Sequence, residues 1–347
     1  MARRGYVAFA ACVAVMTTCF SGVPVWSRLP EDPAMVDVRE QAQKSQFVFR
    51  GHVVDVQPEL NSQPYSSHFI AKIQIDRLYR GNLTGGAAIR FSLDHGLSMG
   101  HDCFNFRPGE LWLFFAVKGN GVLELFDDCS GALAISPRLG PKSKLPGWPA
   151  QMESDFLAGL EDPDLQSRIY SIQRLGGLQL PSSRPALHEV IGKRKGIEAD
   201  WAIYATLRTG DFTVLPMVNT ALASGDASLR AAIDYELQKV SDPAAVPGLL
   251  DIAKSAPNEH SRIEAMVSLV YYLKDPRAVP TLGANLSSSD DATRYMALEG
   301  LDIITKSLAC KRPPNPDENH KDEVERAIAS CKDWWEREGR HQMWVRE

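Results

Sequence analysis

The spacing of apolar and polar positions changes near the middle of the chain. From Val36 to Ser136 apolar residues alternate with polar ones or run in short blocks, which predicts strands. Phe69, Ala71, Ile73 and Ile75 alternate with Ile70, Lys72, Gln74 and Asp76, giving one buried and one mainly exposed face. Phe47 to Val56 is rich in β-branched and aromatic residues, and Gly51 within it marks a bend or bulge. Ile89 to Leu93, Leu111 to Val117 and Val122 to Phe126 read as further strands. Lys118, Gly119, Asn120 and Gly121 join the last two as a hairpin. A short helix near Val36 to Lys44 precedes them. Five strands in this length predict a small closed or partly closed barrel over 36–136.

From about 161 to 309 the period becomes helical and the text repeats. Arg230, Arg262 and Arg294 fall 32 residues apart, each four residues after Asp226, Asn258 or Asp290. Asp242-Pro243 and Asp275-Pro276 recur between them, and Pro185, Pro216, Pro247 and Pro280 align likewise. Arg168 and Ala199 occupy the corresponding places upstream, so the unit around 195–225 is degenerate. Leu229, Ala232, Ile233, Leu237 and Val240 form one apolar helical stripe, and Val246, Leu249, Leu250 and Ala253 a second. Repeated helix pairs cannot bury their apolar faces alone and stack on their neighbours. Asp242 and Asp275 are read as capping acids before a proline at the first helical position. Arg168, Arg230, Arg262 and Arg294 invite a reading as an anion-binding ladder. The acid or amide four residues earlier favours a structural role at each helix start. Tyr235, Tyr271, Tyr272 and Tyr295 could line a groove or serve as packing.

Between these parts, 137–160 carries Pro137, Gly140, Pro141, Pro146, Gly147 and Pro149 and is read as a semi-rigid linker. After Cys310, a proline-rich loop precedes a helix over Glu323 to Glu338, with an apolar stripe of Ala327, Ile328, Cys331, Trp334 and Trp335. The segment 310–347 is read as a terminal cap. A sugar or protein contact by Trp334 or Trp335 is the alternative.

Residues 1–22 have the layout of a secretory leader: Arg3 and Arg4, an apolar stretch from Tyr6 to Met16, then small and polar residues. The protein is therefore expected to be exported, periplasmic or extracellular, and bacterial. That apolar stretch is too short to favour a permanent transmembrane helix, and lipidation of Cys19 is an alternative to ordinary cleavage. Cleavage beyond Cys19 leaves four cysteines, and the local pairing, Cys103 with Cys129 and Cys310 with Cys331, is chosen among three connectivities.

The first part, over about 45–135, resembles the netrin-like family, which shares an OB-like barrel with the tissue inhibitors of metalloproteinases. The resemblance rests on Val48-Phe49-Arg50-Gly51-His52-Val53, Leu78-Tyr79-Arg80-Gly81, Asp102-Cys103, Phe106 to Ala116 and Cys129-Ser130-Gly131. It implies a disulfide between Cys103 and Cys129. The inhibitors place an amino-terminal cysteine on a protease zinc, which here would require Cys19 to become the first residue. The second part, over about 161–308, resembles HEAT-like repeats of the short bacterial kind also seen in phycobilisome lyases. The expected fold is thus an OB-like β-barrel followed by a HEAT-like α-solenoid with a capping helix.

The net charge of −5, or −7 without Arg3 and Arg4, argues against nucleic acid as a partner. Lys142 to Lys144 and Lys193 to Lys195 read as solvated loops. Asp94, His95, His101 and Asp102, with Asp127 and Asp128, are the dense metal-capable cluster. Their spacing is that of a polar loop rather than a zinc site, so no metal, cofactor or catalytic residue is expected. The expected function is recognition or scaffolding of unknown protein partners. Inhibition of an extracellular metalloproteinase and a lyase-like activity are the alternatives.

Overall fold

In the computed structural model, the described residues are 35–59, 67–93, 104–127, 130–313 and 321–344. The leader, the Asp94–Asp102 cluster, Asp128, and the pair Cys103 and Cys129 lie outside them. The chain divides into two compact units, one running to Ile233 and the other from Asp234 to Glu347.

The first unit begins with α1 (Val38–Lys44), whose N-cap Asp37 accepts the Glu40 N–H at 2.7 Å. The strands β1 (Phe47–Pro58), β2 (Ser67–Arg80), β3 (Gly86–Leu93), β4 (Leu111–Lys118), β5 (Leu123–Leu125) and β6 (Ala132–Ala134) follow. Their order is β1-β2-β3-β5-β4-β6, and β1 also pairs with β4, so the first five strands close on themselves. Every pairing is antiparallel except β3 with β5. Closure removes the strand edges that would otherwise invite aggregation.

Inside the barrel, Phe49, Phe91, Phe106 and Phe114 are buried together. The Phe106 ring lies 4.8 Å from that of Phe91 and 5.6 Å from that of Phe114. Each such side chain contributes roughly 1.5–3 kcal/mol by leaving water. Gly51 sits at a register shift, where a Cβ would fall 2.4 Å from the Gln74 carbonyl oxygen. The bulge therefore depends on its missing side chain.

Helices make up the rest: α2 (Trp148–Gly159), α3 (Leu165–Leu178), α4 (Arg184–Lys193), α5 (Ile197–Arg208), α6 (Leu215–Leu222) and α7 (Ala227–Leu237). The unit boundary falls within α7. Beyond it come α8 (Val246–Ser255), α9 (Glu259–Val267), α10 (Val279–Asn285), α11 (Asp291–Thr305) and α12 (Lys321–Arg337). A β-barrel followed by helices is thus the observed architecture. No helix among the described residues is long and apolar enough to cross a membrane.

The proline-rich stretch, read as a semi-rigid linker that disfavours helix, contains one. Half of it is α2, which buries Met152, Asp155 and Phe156. The other half folds back on that helix: Gly140 donates its N–H to Asp155 at 2.8 Å, and Ser154 donates its hydroxyl to the Pro141 carbonyl at 2.9 Å. Prolines block regular structure only where they stand. Between Pro149 and Pro163 nothing opposes a helix, and its apolar face had a barrel to cover. Tyr79 and Arg77 of β2 both donate to Asp155. Arg50 of β1, buried, donates to the carbonyls of Pro137 at 3.0 Å and Arg138 at 2.9 Å.

Candidate functional site

Four helices begin with one local device. The side chains of Asp164, Asp226, Asn258 and Asp290 accept backbone N–H groups three residues on, from Ser167 at 2.7 Å, Leu229 at 3.0 Å, Ser261 at 2.8 Å and Thr293 at 2.7 Å. Their carbonyls accept the N–H of Arg168, Arg230, Arg262 and Arg294. The four arginines therefore stand at one place in the first turn. The capping bonds hold Asp164 below the usual carboxylate range.

Three of these arginines spend their charge on nearby acids. Arg168 reaches Glu198 at the start of α5 at 2.8 Å, and that bond raises its pKa. Arg262 pairs with Glu259 at 3.1 Å on its own helix. Arg294 bonds Asp291 at 2.7 Å and Glu325 of α12 at 2.8 Å. A row of anion-binding cations is not what this geometry offers; Arg168 and Arg294 tie one helix to another.

Asp242 and Asp275 cap short 3-10 turns, accepting the N–H of Ala244 at 2.8 Å and Arg277 at 2.9 Å. Asp211 does the same for Thr213 at 3.1 Å in the degenerate unit. Each turn leads straight into the next helix, with Pro216, Pro247 or Pro280 in its first turn, where the missing N–H costs nothing.

Cys310 and Cys331 are bonded, and both are buried. The bond ties the segment after α11 to α12. The Trp335 ring lies on α10 so closely that a Cβ on Gly283 would meet it at 2.2 Å. Trp334 is buried too, 6.2 Å from Trp344 in an edge-on arrangement. Tyr235, Tyr271 and Tyr272 are among the exposed large side chains, with Lys239 4.0 Å above the Tyr235 ring.

Two features that the sequence reading did not single out have more to offer. One is an open groove of ≈ 510 Å³ between α8 and α10. Pro247, Leu250 and Pro280 give it apolar lining, and Asp251, Lys254 and Arg277 bring charges of both signs to it. Arg277 is oriented by Asp275 at 2.7 Å, which lowers the acid's pKa. The groove's residues come from equivalent helices, Pro247 and Pro280 standing 33 positions apart. The repeat pattern contained that signal, but its depth follows from helix separation, which no periodicity reports.

The other is a cluster where α7 meets α9. Asp234 accepts the Ser261 hydroxyl, and its carboxylate lies 3.9 Å from His260 Nε2. Glu264, one turn after His260, lies 3.5 Å from the same nitrogen. Both acids are buried, and Glu264 Oε2 has no hydrogen-bond donor. Burial, with the neighbouring charge of Asp234, raises Glu264 to about 7. Asp234 follows directly after Ile233 in the buried stripe, and a polar residue breaking that stripe was the available sequence signal. Among the described residues no group of three or more histidines, cysteines or acids is arranged to hold a metal ion.

No family model matches the sequence, and no curated protein matches it. Among solved structures the chain is similar to the complex of CpcE and CpcF of phycocyanin lyase from Nostoc sp. PCC7120. The identity is 17%, the match covers 49% of this chain and 70% of that chain, and the TM-score is 0.35. A likeness of that size carries no argument about what this chain does.

Proposed function

We propose that this is an exported protein-interaction or scaffolding protein of a bacterial envelope or its surroundings, acting without catalysis. The barrel is read as OB-like and netrin-like. Its five-strand closure with one parallel pair supports the first of these. The helices are read as a HEAT-like solenoid, supported by the fourfold recurrence of cap and arginine, three of these followed by a proline-started second helix. α12 is read as the terminal cap, because Trp335 lies on α10 and Cys310–Cys331 holds the helix there. A buried disulfide also favours an oxidising compartment.

The single observation that carries the binding role is the groove between α8 and α10. Extended repeat surfaces recognise partners through such grooves between repeats, and this one combines apolar and charged lining residues. The test is affinity purification from envelope extract with the full chain, the Leu250→Glu variant and the Arg277→Glu variant. A partner retained by the wild type and lost by both variants supports the reading. A partner retained equally by all three sinks it.

A further inference from the structure

The groove between α8 and α10 is lined by side chains whose hydrogen-bonding capacity is not spent within the fold. Of its charged residues, Asp251 is already engaged, and Arg277 gives Nε and Nη2 to Asp275. Lys254, exposed in the last turn of α8, has no ion-pair or hydrogen-bond partner among the described residues. Thr281 is only 7% exposed, and its hydroxyl likewise has no partner among the described residues. Asn285 gives its amide N–H to the Met266 sulphur at 3.4 Å, which leaves its carbonyl oxygen without a donor among the described residues. A hydroxyl as buried as that of Thr281 is costly to leave unpaired and can be met only from the groove that it lines.

Given that the groove is a binding surface, as proposed above, we infer that its occupant is an extended peptide segment of another protein, in which an apolar residue is followed two positions later by an aspartate or glutamate. Lys254 stands one helical turn beyond Leu250, a spacing that puts the two Cβ atoms about 5–6 Å apart. Side chains two positions apart on an extended strand share a face and are separated by about 6.6 Å. An apolar side chain laid against Leu250 therefore brings the acid of its neighbour to Lys254, whose charge is the one left uncompensated. On α10, Thr281 and Asn285 are also one turn apart, and they offer a hydroxyl and a carbonyl oxygen to the C=O and N–H of the segment's backbone. A helical occupant has its own backbone groups paired and would leave both unmet, so the extended form fits. A basic segment would bring like charge to Lys254 and Arg277 and is disfavoured.

The test is selection of a displayed library of short random peptides on the immobilised full chain, keeping the clones that bind the wild type but not Leu250→Glu. These are expected to carry an apolar residue two positions before Asp or Glu. Replacing that acid by its amide, or Lys254 by Glu, is expected to weaken binding about tenfold, as loss of a charge-assisted hydrogen bond does. A lysine in place of the acid is expected to recover affinity for Lys254→Glu, and Thr281→Val to weaken acidic and amide peptides alike. Leu250-dependent clones that lack the acid, or whose affinity Lys254→Glu leaves unchanged, overturn the acidic occupant while the groove stands as a binding surface. The absence of any Leu250-dependent clone overturns both. Lys254 is exposed, so its replacement leaves the packing intact; should Leu250→Glu fail to fold, Ala284→Glu, exposed on α10, takes its place as the blocked groove.

Discussion

The Asp155 carboxylate, on α2, accepts the phenolic hydroxyl of Tyr79, on β2, at 2.5 Å. Asp155 is buried and Tyr79 half-buried, and burial of the Tyr79 hydroxyl together with the Asp155 charge holds it well above its ordinary pKa. Arg77 and the Gly140 N–H complete the acid's partners. One side chain thus joins the barrel wall, the proline-rich segment and the first long helix after it. Removing one member of a buried ion pair leaves the other uncompensated, at a cost of about 3–5 kcal/mol. Asp155→Ala should therefore lower unfolding stability by that amount in a denaturant titration. Tyr79→Phe, which loses one hydrogen bond, should cost about 1–2 kcal/mol. Equal, small effects would mean that the segment is held by its apolar contacts alone.

Gly283 in α10 faces the Trp335 ring at 2.2–2.6 Å from where a Cβ would stand. Gly283→Ala must push the ring or its helix away, and overpacking of this kind costs about 1–3 kcal/mol. Trp335→Ala, which leaves a cavity, should cost about 3–5 kcal/mol. The double variant should be less damaging than the sum, because the methyl no longer meets a ring. Calorimetric melting of the three proteins measures this; strict additivity would contradict the contact.

The Cys310–Cys331 bond closes a loop with a sequence separation of 21. On chain-entropy grounds such a loop is worth about 3 kcal/mol. Replacing both cysteines by serine should lower the melting temperature. A reductant should do the same to the wild type and nothing further to the variant.

Glu264 has its folded pKa raised from 4.5 to about 7. The folded state therefore holds a proton that the unfolded chain has already released in that interval. The stabilisation is fully present below about 4.5 and is lost as pH rises through about 7. A shift of this size corresponds to at most about 3 kcal/mol. Glu264→Gln should match the wild type at pH 4.5 and be more stable than it above pH 8. Parallel stability curves for the two proteins across that range would contradict the assignment.

Much of the architecture was legible in the residues because it is written in local rules. Alternation at Phe69 to Ile75, the Gly119–Gly121 hairpin and the fourfold Asp or Asn before Arg each describe neighbours in sequence, and secondary structure answers to neighbours. The stripe Ile328, Cys331, Trp334 and Trp335 is the buried face of α12 for the same reason. What depends on distant partners was not legible. The stretch 137–160 reads as a spacer by its prolines, yet Asp155 is buried by residues of β2, some 76 positions away. Asp234 and Glu264 look like ordinary polar positions on two separate helices. Their coupling exists only because α7 and α9 are brought together, and the groove likewise exists only as a space between α8 and α10.

The binding role is tested most directly by placing a photoreactive residue at Leu250, in the groove, and in a second protein at Lys332, exposed on α12. Irradiation in envelope extract should give one discrete adduct from position 250, absent from position 332 and lost when Arg277→Glu is added. The same adducts from both positions, or an adduct at 250 indifferent to Arg277, would contradict the account.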